Sequence, residues 1–229
     1  MNFNNNNFNS RNYKKLLNFF IKRNYKFVNY KSFKLKKNIL LRHDVDFDVD
    51  KALSIAKIDY SLKIKSHFFF LVDSPFYNLL EKKNIEALRK ISKMKHFIGL
   101  HLNMSNKIQA SSKDDLVFKF EYLKKLIPAS KIFSIHKYGS EKKNINLNSY
   151  LNFYRKNITK IYYSDSGGKF RFGMPTEDYR IINQKKSFQL NIHPIWWIGK
   201  EQRNQKISNL IRHKASNLIK EIQSYKLIN

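Results

Sequence analysis

ILLRHDVDFD, residues 39–48, is a short apolar run that ends in an arginine, a histidine and three aspartates. The apolar part indicates a buried β-strand, and such a strand seldom ends in several carboxylates unless a cation gathers them. Asp44 and Asp46 are two residues apart, so they project to the same side of an extended chain. Two like charges this close repel each other unless they share a metal ion or a proton. The alternative is a helix N-terminus capped by Asp48 or Asp50, which leaves Asp44 and Asp46 for a metal-binding or acid–base role.

The composition indicates one globular domain. The 229 residues are 42% hydrophobic and 15% aromatic, which suits a full core and argues against disorder. The chain has no cysteine, so disulfides and thiolate metal sites are excluded, and any metal must be held by His, Asp or Glu. Residues 1–10 are Asn-rich, lack the apolar segment of a secretory signal and are expected to be flexible, whereas residues 11–229 are expected to form the domain. No run is long enough to span a bilayer, and we expect a cytoplasmic protein.

The formal net charge of +28 would suit an anionic partner such as nucleic acid or a membrane surface. The lysines are spread along the whole chain, however, and Lys, Asn, Ile, Phe and Tyr are abundant together, as in the product of an AT-rich coding sequence. No helix-turn-helix, zinc-finger or aromatic RNA-reading motif is visible. We therefore expect no specific nucleic-acid partner, and peripheral contact with an anionic membrane stays an open alternative.

Predicted strands and helices alternate along the sequence. The strands are predicted at 39–41, 67–72, 97–102, 132–135, 160–163 and 188–192. The helices are predicted at 13–22, 51–62, 76–92, 114–127, 149–156 and 202–225. Strands that alternate with helices pair in parallel through right-handed crossovers, so the fold class is α/β, either a small β/α barrel or an open doubly wound sheet. A dinucleotide-binding fold is disfavoured because no Gly-rich phosphate loop follows the first strand.

Side chains that can bind a metal or move a proton recur where the predicted strands end. They are Asp44, Asp46, His101, His136, Asp165 and His193. Taken singly, each could be a hydrogen-bonded structural residue. The carboxyl ends of parallel strands form one shared mouth, however, so we expect these six side chains to meet there. His67 begins its strand and should point to the opposite end, and His43, His96 and His213 are expected to be peripheral.

The motifs of this chain, taken in order, resemble those of the polysaccharide deacetylases, carbohydrate esterases related to the nodulation deacetylase. They are RHDVD, HFFFLVDSPFYN, IGLHLN, FSIHKYG, YYSDSGGKFR and LNIHPIWW, and they extend from about Leu40 to Trp197. They look most like a divergent branch that is common in bacterial surface-glycan clusters. The resemblance implies an irregular β/α barrel of about seven parallel strands in a single domain. It also implies a metal-dependent hydrolase that removes an acetyl group from an amino sugar or a surface-glycan precursor.

The resemblance implies a metal site, most readily for zinc, with cobalt or nickel as alternatives. Asp46 matches the family's aspartate ligand. His101 matches the first of two histidine ligands that are four residues apart in the family, but the second position is Ser105, a poor ligand. His136, at the end of the next strand, is our candidate to replace it. Two imidazoles and one carboxylate with an open position are typical of catalytic zinc.

The same resemblance implies an acid and a base. Asp44 matches the base, although one extra residue separates it from Asp46, so the base and the ligand could be exchanged. His193 matches the general acid that protonates the leaving amine. Asp165 lies where the family often has a carboxylate that orients this histidine.

Four further residues are candidates for substrate binding. Arg42 and Arg171 could bind an anionic group of the substrate, or they could form an ion pair with Asp44. Trp196 and Trp197 could form a stacking wall for a sugar ring, or they could be lid or core residues. The substrate would be an acetylated sugar, a nucleotide sugar or a glycan.

Three other functions stay open at this point. The first is a catalytically inactive relative that acts as a binding or scaffold protein, and a serine in place of the second histidine ligand, Ser105, would suit it. Another hydrolase on the same framework would need a different arrangement of carboxylates. A basic nucleic-acid-binding protein would need a continuous basic face.

Overall fold

The strands and helices alternate along the chain as the sequence predicts. A computed structural model describes residues 8–103, 113–136, 150–153 and 159–225. The strands are β1 (Lys26–Phe27), β2 (Asn38–Val45), β3 (His67–Leu71), β4 (Phe97–Asn103), β5 (Ile132–His136), β6 (Leu151–Asn152), β7 (Tyr162–Ser164) and β8 (Phe188–Ile192). The helices are α1 (Ser10–Ile21), α2 (Val49–Ser61), α3 (Lys82–Lys93), α4 (Lys113–Leu126), α5 (Tyr179–Ile182), α6 (Pro194–Trp197) and α7 (Arg203–Ser224).

Seven parallel strands form a half-barrel in the order β6-β5-β4-β3-β2-β8-β7, and β1 adds to β2 outside this path. Each neighbouring pair of strands runs parallel. Their carboxyl ends therefore open on one side of the sheet. The fold class is α/β with a deacetylase-type barrel, which confirms the prediction.

The two faces of the sheet bury different sets of side chains. The inner face holds a small cluster of fully buried residues, namely Leu40, Phe69, Ile132 and Phe153. The outer face packs against the helices through the main core, to which β2 contributes Ile39, Leu41 and Val45. Since successive strand residues point to opposite faces, this alternation fixes which side chains of each strand line the barrel.

Gly99 allows the barrel to close tightly at β4. A Cβ atom at this position would lie 2.5 Å from Ile132 Cγ1, 2.6 Å from Ile132 O and 2.9 Å from Phe69 Cε1. Any side chain here would push β4 away from β3 or β5. Gly99 therefore sets the position of His101, which is two residues further on and on the same face.

Two predicted helices differ from the structure. The helix predicted at 76–92 begins only at Lys82, because local hydrogen bonds form a turn before it. The Asn78 side chain accepts a hydrogen bond from the Leu80 backbone N–H at 2.9 Å. The Tyr77 hydroxyl donates to the carbonyl of Val45 at 2.6 Å, which ties this segment to the end of β2.

The second difference is the helix predicted at 149–156, which is wrong for the residues that the structure describes. Leu151–Asn152 is strand β6 and pairs with Ile132 and Phe133 of β5. Phe153 follows with its ring fully buried in the inner cluster. Pairing with β5 and burial of this ring outweigh the weak local preference for a helix.

The N-terminal end of the described chain is anchored by side chains. The Asn9 side chain caps α1 by accepting from the Asn12 backbone N–H at 2.9 Å, and the ring of Phe8 lies 4.6 Å from that of Trp197. The Asp48 side chain caps α2, as one alternative for this residue predicted, by accepting from the Lys51 N–H at 3.0 Å. Within the described residues, no helix combines the length and the apolar character needed to cross a bilayer.

Candidate active site

Strand β2 and the residue after it place three charged side chains in one row on the inner face of the barrel. The row continues from Leu40 of the inner cluster at steps of two residues through Arg42, Asp44 and Asp46. His43 points the other way, and its Nε2 lies 2.8 Å from Asp59 Oδ2 of α2. The strand is longer than predicted, so Arg42 and Asp44 lie within the paired sheet and only Asp46 follows its end.

Asp44 is buried and held by several donors. Arg42 donates from Nε to Oδ1 at 2.7 Å and from Nη2 to Oδ2 at 2.6 Å, which is the bidentate geometry of a strong charged pair. Asn191 Nδ2 donates to Oδ2 at 2.9 Å, and Ser134 Oγ donates to Oδ1 at 3.4 Å. Burial alone would raise the pKa of Asp44, but the Arg42 guanidinium holds this pKa well below its usual range. Asp44 is therefore ionised. Arg42 forms an ion pair with Asp44, which is one of the two roles that the sequence left open for this arginine.

Asp46, His101 and His136 come together at the barrel mouth. One ligand atom from each lies within 4.8 Å of the other two. Asp46 Oδ1 is 3.1 Å from His101 Nε2 and 3.2 Å from His136 Nδ1. The arrangement thus offers one carboxylate and two imidazole nitrogens to a single point.

The hydrogen bonds of His101 leave a lone pair facing Asp46. His101 Nδ1 lies 3.3 Å from the carbonyl oxygen of Ser134 and 2.7 Å from Ser134 Oγ. Because a carbonyl oxygen only accepts, the neutral ring carries its proton on Nδ1, and Nε2 keeps its lone pair. His101 Nε2 and Asp46 Oδ1 are both buried and have no hydrogen-bond partner among the described residues. A lone pair and an anionic oxygen 3.1 Å apart repel each other, so the residues fit a bound cation.

His193 is oriented by a fully buried carboxylate. Asp165 Oδ1 lies 2.6 Å from His193 Nδ1, and the His193 backbone N–H donates to the same carboxylate at 3.0 and 3.1 Å. Trp197 Nε1 donates to Asp165 Oδ2 at 2.5 Å. Burial alone would lower the pKa of His193, but the charge of Asp165 raises it to about 9. The imidazole is therefore protonated at neutral pH and can give up a proton.

Helix α6 explains why one carboxylate meets both His193 and Trp197. His193 is the N-cap residue of this short helix, and Pro194 starts it. Trp197 is four residues after His193, about one helical turn, so both side chains reach the same carboxylate. The short sequence HPIWW, residues 193–197, therefore supplies two of the side chains that contact the Asp165 carboxylate.

The base and acid candidates both reach the three-residue cluster of Asp46, His101 and His136. Asp44 Oδ2 lies 4.0 Å from His101 Nε2. His193 Nε2 lies 3.8 Å from Asp46 Oδ2, the carboxylate oxygen that does not face the two imidazoles. The structure therefore brings together the six side chains at the strand ends that the sequence singled out.

The candidate substrate residues lie in different surroundings. Arg171 is exposed, and it lies next to Gly167 rather than Asp44. Trp197 is 2% exposed, and its ring packs near those of Phe8 and Tyr13, so it occupies the core position that the sequence left open. Trp196 is 5% exposed and lies near the ring of Phe47.

Ser105, at the position of the family's second histidine ligand, lies outside the described residues. His136 reaches Asp46 and His101 because β5 pairs with β4, so that Asn103 lies opposite His136. Adjacent parallel strands thus bring His136 to Asp46 and His101.

The remaining histidines that the sequence set apart do not reach the mouth. His67 is fully buried, its ring stacks 5.0 Å from that of Phe97, and its Nδ1 lies 2.9 Å from the carbonyl oxygen of Leu41. His96 Nε2 lies 3.0 Å from the carbonyl oxygen of Ala56. These two buried histidines are hydrogen-bonded structural residues, which is the alternative that the sequence left open for each histidine.

Three polar residues of the site were missed in the sequence. Ser134 supports His101, and Asn191 binds Asp44 and also donates to the hydroxyl of Tyr162 at 3.0 Å. Ser134 and Asn191 each precede a strand-end histidine by two residues, so they share its face of the strand. That two-residue spacing was the available signal.

Comparisons with known proteins find structural similarity only. No family model and no curated protein matches the sequence. A chitin deacetylase from the fungus Colletotrichum lindemuthianum is 12% identical with a TM-score of 0.40, and 77% of this chain and 81% of that chain are covered. A family 4 carbohydrate esterase from Bacillus anthracis is 15% identical with a TM-score of 0.44, covering 95% and 94%. A Bordetella bronchiseptica protein assigned to the polysaccharide deacetylases and to O-antigen biosynthesis is 16% identical with a TM-score of 0.41, covering 74% and 79%.

All three are carbohydrate esterases or deacetylases, the group whose motifs this chain resembles. Their identities of 12–16% and TM-scores of 0.40–0.44 are too low to assign a reaction to this chain. The function has to be argued from the site itself.

Proposed function

We propose that this protein is a metal-dependent hydrolase that removes an acetyl group from the nitrogen of an amino sugar or a surface-glycan precursor. The observation that carries the proposal is the meeting of Asp46, His101 and His136, with atoms within 4.8 Å of one another, beside an ionised carboxylate and a protonated imidazole. A cation site, a base and an acid in one place are the groups that amide hydrolysis requires. The sugar as substrate is what the resemblance of the motifs implies, and the cytoplasm as location is an expectation from the sequence.

Asp46, His101 and His136 would hold the metal ion, and zinc suits this set of one carboxylate and two imidazoles. When bound, a divalent ion would polarise the amide carbonyl and lower the pKa of water at the site. Ser134 would keep His101 in the tautomer with a free lone pair on Nε2. The metal site therefore needs no contribution from Ser105.

Asp44 is the proposed base. It is ionised, and its Oδ2 lies 4.0 Å from His101 Nε2, so it borders the metal cluster without belonging to it. Arg42 and Asn191 fix the direction in which the carboxylate presents its oxygens. In the reaction Asp44 accepts a proton from the attacking water as the carbon–oxygen bond forms. These contacts support Asp44, rather than Asp46, as the base.

His193 is the proposed acid. Its Nδ1 is held by Asp165, so Nε2 is the nitrogen that faces the site and carries the transferable proton. His193 gives this proton to the sugar nitrogen as the carbon–nitrogen bond breaks, which releases the amine and acetate.

Metal binding is tested by measuring the metal content of purified protein and of two histidine variants. We expect about one zinc ion per chain in the original protein and none in His101→Ala. His213→Ala, which removes an exposed histidine from α7, is the matched control and should keep the metal. Equal metal content in all three proteins would overturn the proposed metal site.

Catalysis is tested by release of a free amine from an N-acetylated amino sugar. Asp44→Asn keeps the shape of the side chain and should stop amine release while the metal content stays unchanged. A protein that holds its metal but releases no amine from N-acetylated sugars would instead be a binding relative of the hydrolases. Asp44→Asn with the original rate would remove Asp44 as the base.

A further inference from the structure

Helix α7 is anchored to the body of the protein only at its first turns, as far as the described residues show. The ammonium of Lys206 is buried and donates to the carbonyl oxygens of Phe8 at 3.3 Å, Ile198 at 3.2 Å and Trp196. Ile207 is half-buried against the main core. Beyond Leu210, the side chains are exposed apart from half-buried Ile222. Most of this 22-residue helix therefore faces solvent.

The exposed part of α7 carries an apolar stripe. Ile211 is 57% exposed, Leu218 is 58% exposed and Ile219 is 48% exposed. Together with Ile207 and Ile222, they recur at steps of three, four or seven residues, which is the spacing of one helix face. An exposed apolar face of this length indicates that the helix binds a partner that offers an apolar region to bury it.

The rest of the helix is cationic. Its exposed charged residues are Arg203, Arg212, Lys214 and Lys220, against a single acid, Glu221. Lys214 lies beside the apolar stripe, where its long side chain can extend away from the apolar side chains toward a charged surface. The whole chain has a formal net charge of +28, so the electrostatic field around the helix is positive as well.

We propose that α7 binds the surface of a membrane that contains anionic lipids, with its apolar stripe between the acyl chains and its cations at the headgroups. Burial of an apolar face among acyl chains and attraction of cations to anionic headgroups both favour binding of such a helix to the membrane surface. Nucleic acid would be attracted to the cations but offers nothing for Ile211, Leu218 and Ile219 to bury against. A second copy of the chain would cover the stripe, but it would bring another +28 charge to the same place. The proposal does not depend on the hydrolase activity, because α7 contributes no residue to the site.

Vesicle sedimentation tests this proposal with the full chain. Vesicles of phosphatidylcholine alone are compared with vesicles that also contain phosphatidylglycerol. We expect binding to the anionic vesicles, and binding at least about tenfold weaker to the neutral ones. Equal binding to both, or to neither, would overturn the proposal.

Two variants separate the apolar stripe from general charge effects. Leu218→Glu places a carboxylate in the stripe, and Ser216→Glu places the same charge about 200° away on the helix, at about 100° per residue. Both positions are exposed, so neither change disturbs the core. We expect Leu218→Glu to weaken binding by about tenfold or more, and Ser216→Glu to weaken it far less. Equal loss in both variants would mean that only charge matters, which would overturn the role of the stripe.

The competing partners give different results. A nucleic-acid surface would bind RNA with an affinity that Leu218→Glu and Ser216→Glu change equally. A second copy of the chain would appear as a dimer in light scattering, and Leu218→Glu would convert it to a monomer. Either result without vesicle binding would overturn the proposal, and Ile211→Glu repeats the vesicle test at an independent position of the stripe.

Discussion

Ser134 offers the sharpest test of the proposed metal centre, because it contacts the proposed ligand His101 without being a proposed ligand itself. Its Oγ lies 2.7 Å from His101 Nδ1, and its hydroxyl proton points to Asp44 Oδ1 at 3.4 Å. Ser134→Ala removes the hydroxyl and leaves a fully buried methyl group in the same space. The three ligands proposed for the metal stay in place, so any change in metal affinity reports on the support of His101.

The size of the effect follows from what the variant loses and what it keeps. Removing a hydrogen bond that orients a metal-binding histidine costs about 10- to 100-fold in metal affinity. His101 Nδ1 keeps its contact with the Ser134 carbonyl oxygen at 3.3 Å, which still selects the tautomer. One neutral hydrogen bond contributes roughly 0.5–1.5 kcal/mol, which corresponds to about 2- to 13-fold. We therefore expect the zinc dissociation constant to rise by about tenfold, at the lower end of the range.

The measurement is zinc binding in competition with a chromogenic chelator, checked by the absorption of bound cobalt. Ser66→Ala is the matched control, since Ser66 is also fully buried but donates to Asp59 Oδ2 at 2.6 Å on the outer side of the sheet. Its zinc affinity should equal that of the original protein. An unchanged zinc affinity in Ser134→Ala would refute the claim that this hydroxyl orients His101, and an equal loss in Ser66→Ala would mean that general destabilisation explains the result.

Three further predictions concern Trp197, Gly99 and His67. Trp197→Phe removes the N–H that donates to Asp165, and we expect amine release to fall by about 10- to 150-fold at constant metal content, because a hydrogen bond to a charged group contributes roughly 1.5–3 kcal/mol. An unchanged rate would contradict this support. Gly99→Ala would place a Cβ 2.5 Å from Ile132 Cγ1 and should lower the free energy of unfolding by about 1–3 kcal/mol in urea titrations, whereas an unchanged midpoint would mean that β4 shifts freely. Burial lowers the pKa of His67 to about 3, so the ring stays neutral in the folded state at higher pH. In the unfolded state the ring binds a proton once the pH drops below its ordinary pKa of 6.5. The free energy of unfolding should therefore decrease as the pH is lowered from 6.5 to about 3, by up to about 1.4 kcal/mol per pH unit. His67→Phe should remove that part of the slope in urea titrations at pH 6 and below, and an equal slope in both proteins would assign the acid sensitivity to other groups.

The strand ends could be predicted from the sequence because parallel strands impose a simple geometry. A residue with functional chemistry after each apolar run must lie at the same mouth, however far apart the runs are in sequence. This reasoning placed His101, His136 and His193 correctly at one end, and it placed His67 at the other. The prediction needed only the position of each strand and its direction.

The segments that were predicted wrongly are those where tertiary contacts outweigh local pattern. Residues 76–81 are apolar enough for a helix, but Tyr77 is tied to Val45 and Leu71, which holds the segment in a turn. Residues 150–153 pair with β5 and bury Phe153, and no local feature of the sequence indicates that pairing. Boundaries of this kind depend on partners that are distant in sequence.

The supporting residues were missed for a different reason. Ser134 and Asn191 are polar residues inside apolar strands, and a search for strand ends passes over them. The alternation of a strand places each of them on the same face as the histidine two residues later, so they must enter the barrel with it. A buried polar side chain needs a partner, and the partners of Ser134 and Asn191 are His101 and Asp44, which are themselves candidates of the site.

Charge balance inside the barrel favours Asp46, rather than Asp44, as the centre of the proposed metal site. Arg42 is paired with Asp44, and His193, whose pKa is raised to about 9, is paired with Asp165. Two cations and three carboxylates leave one negative charge among these five described residues, and it falls on Asp46. Water cannot dissipate this charge, because Asp46 is only 8% exposed. Its Oδ2 lies 3.8 Å from His193 Nε2, whereas its Oδ1 is the oxygen at which His101 Nε2 and His136 Nδ1 converge. The cation proposed to bind at that point would complete the electrostatics of the inner row, so removal of the metal should weaken the order of Asp44 and His193 as well as the binding of substrate.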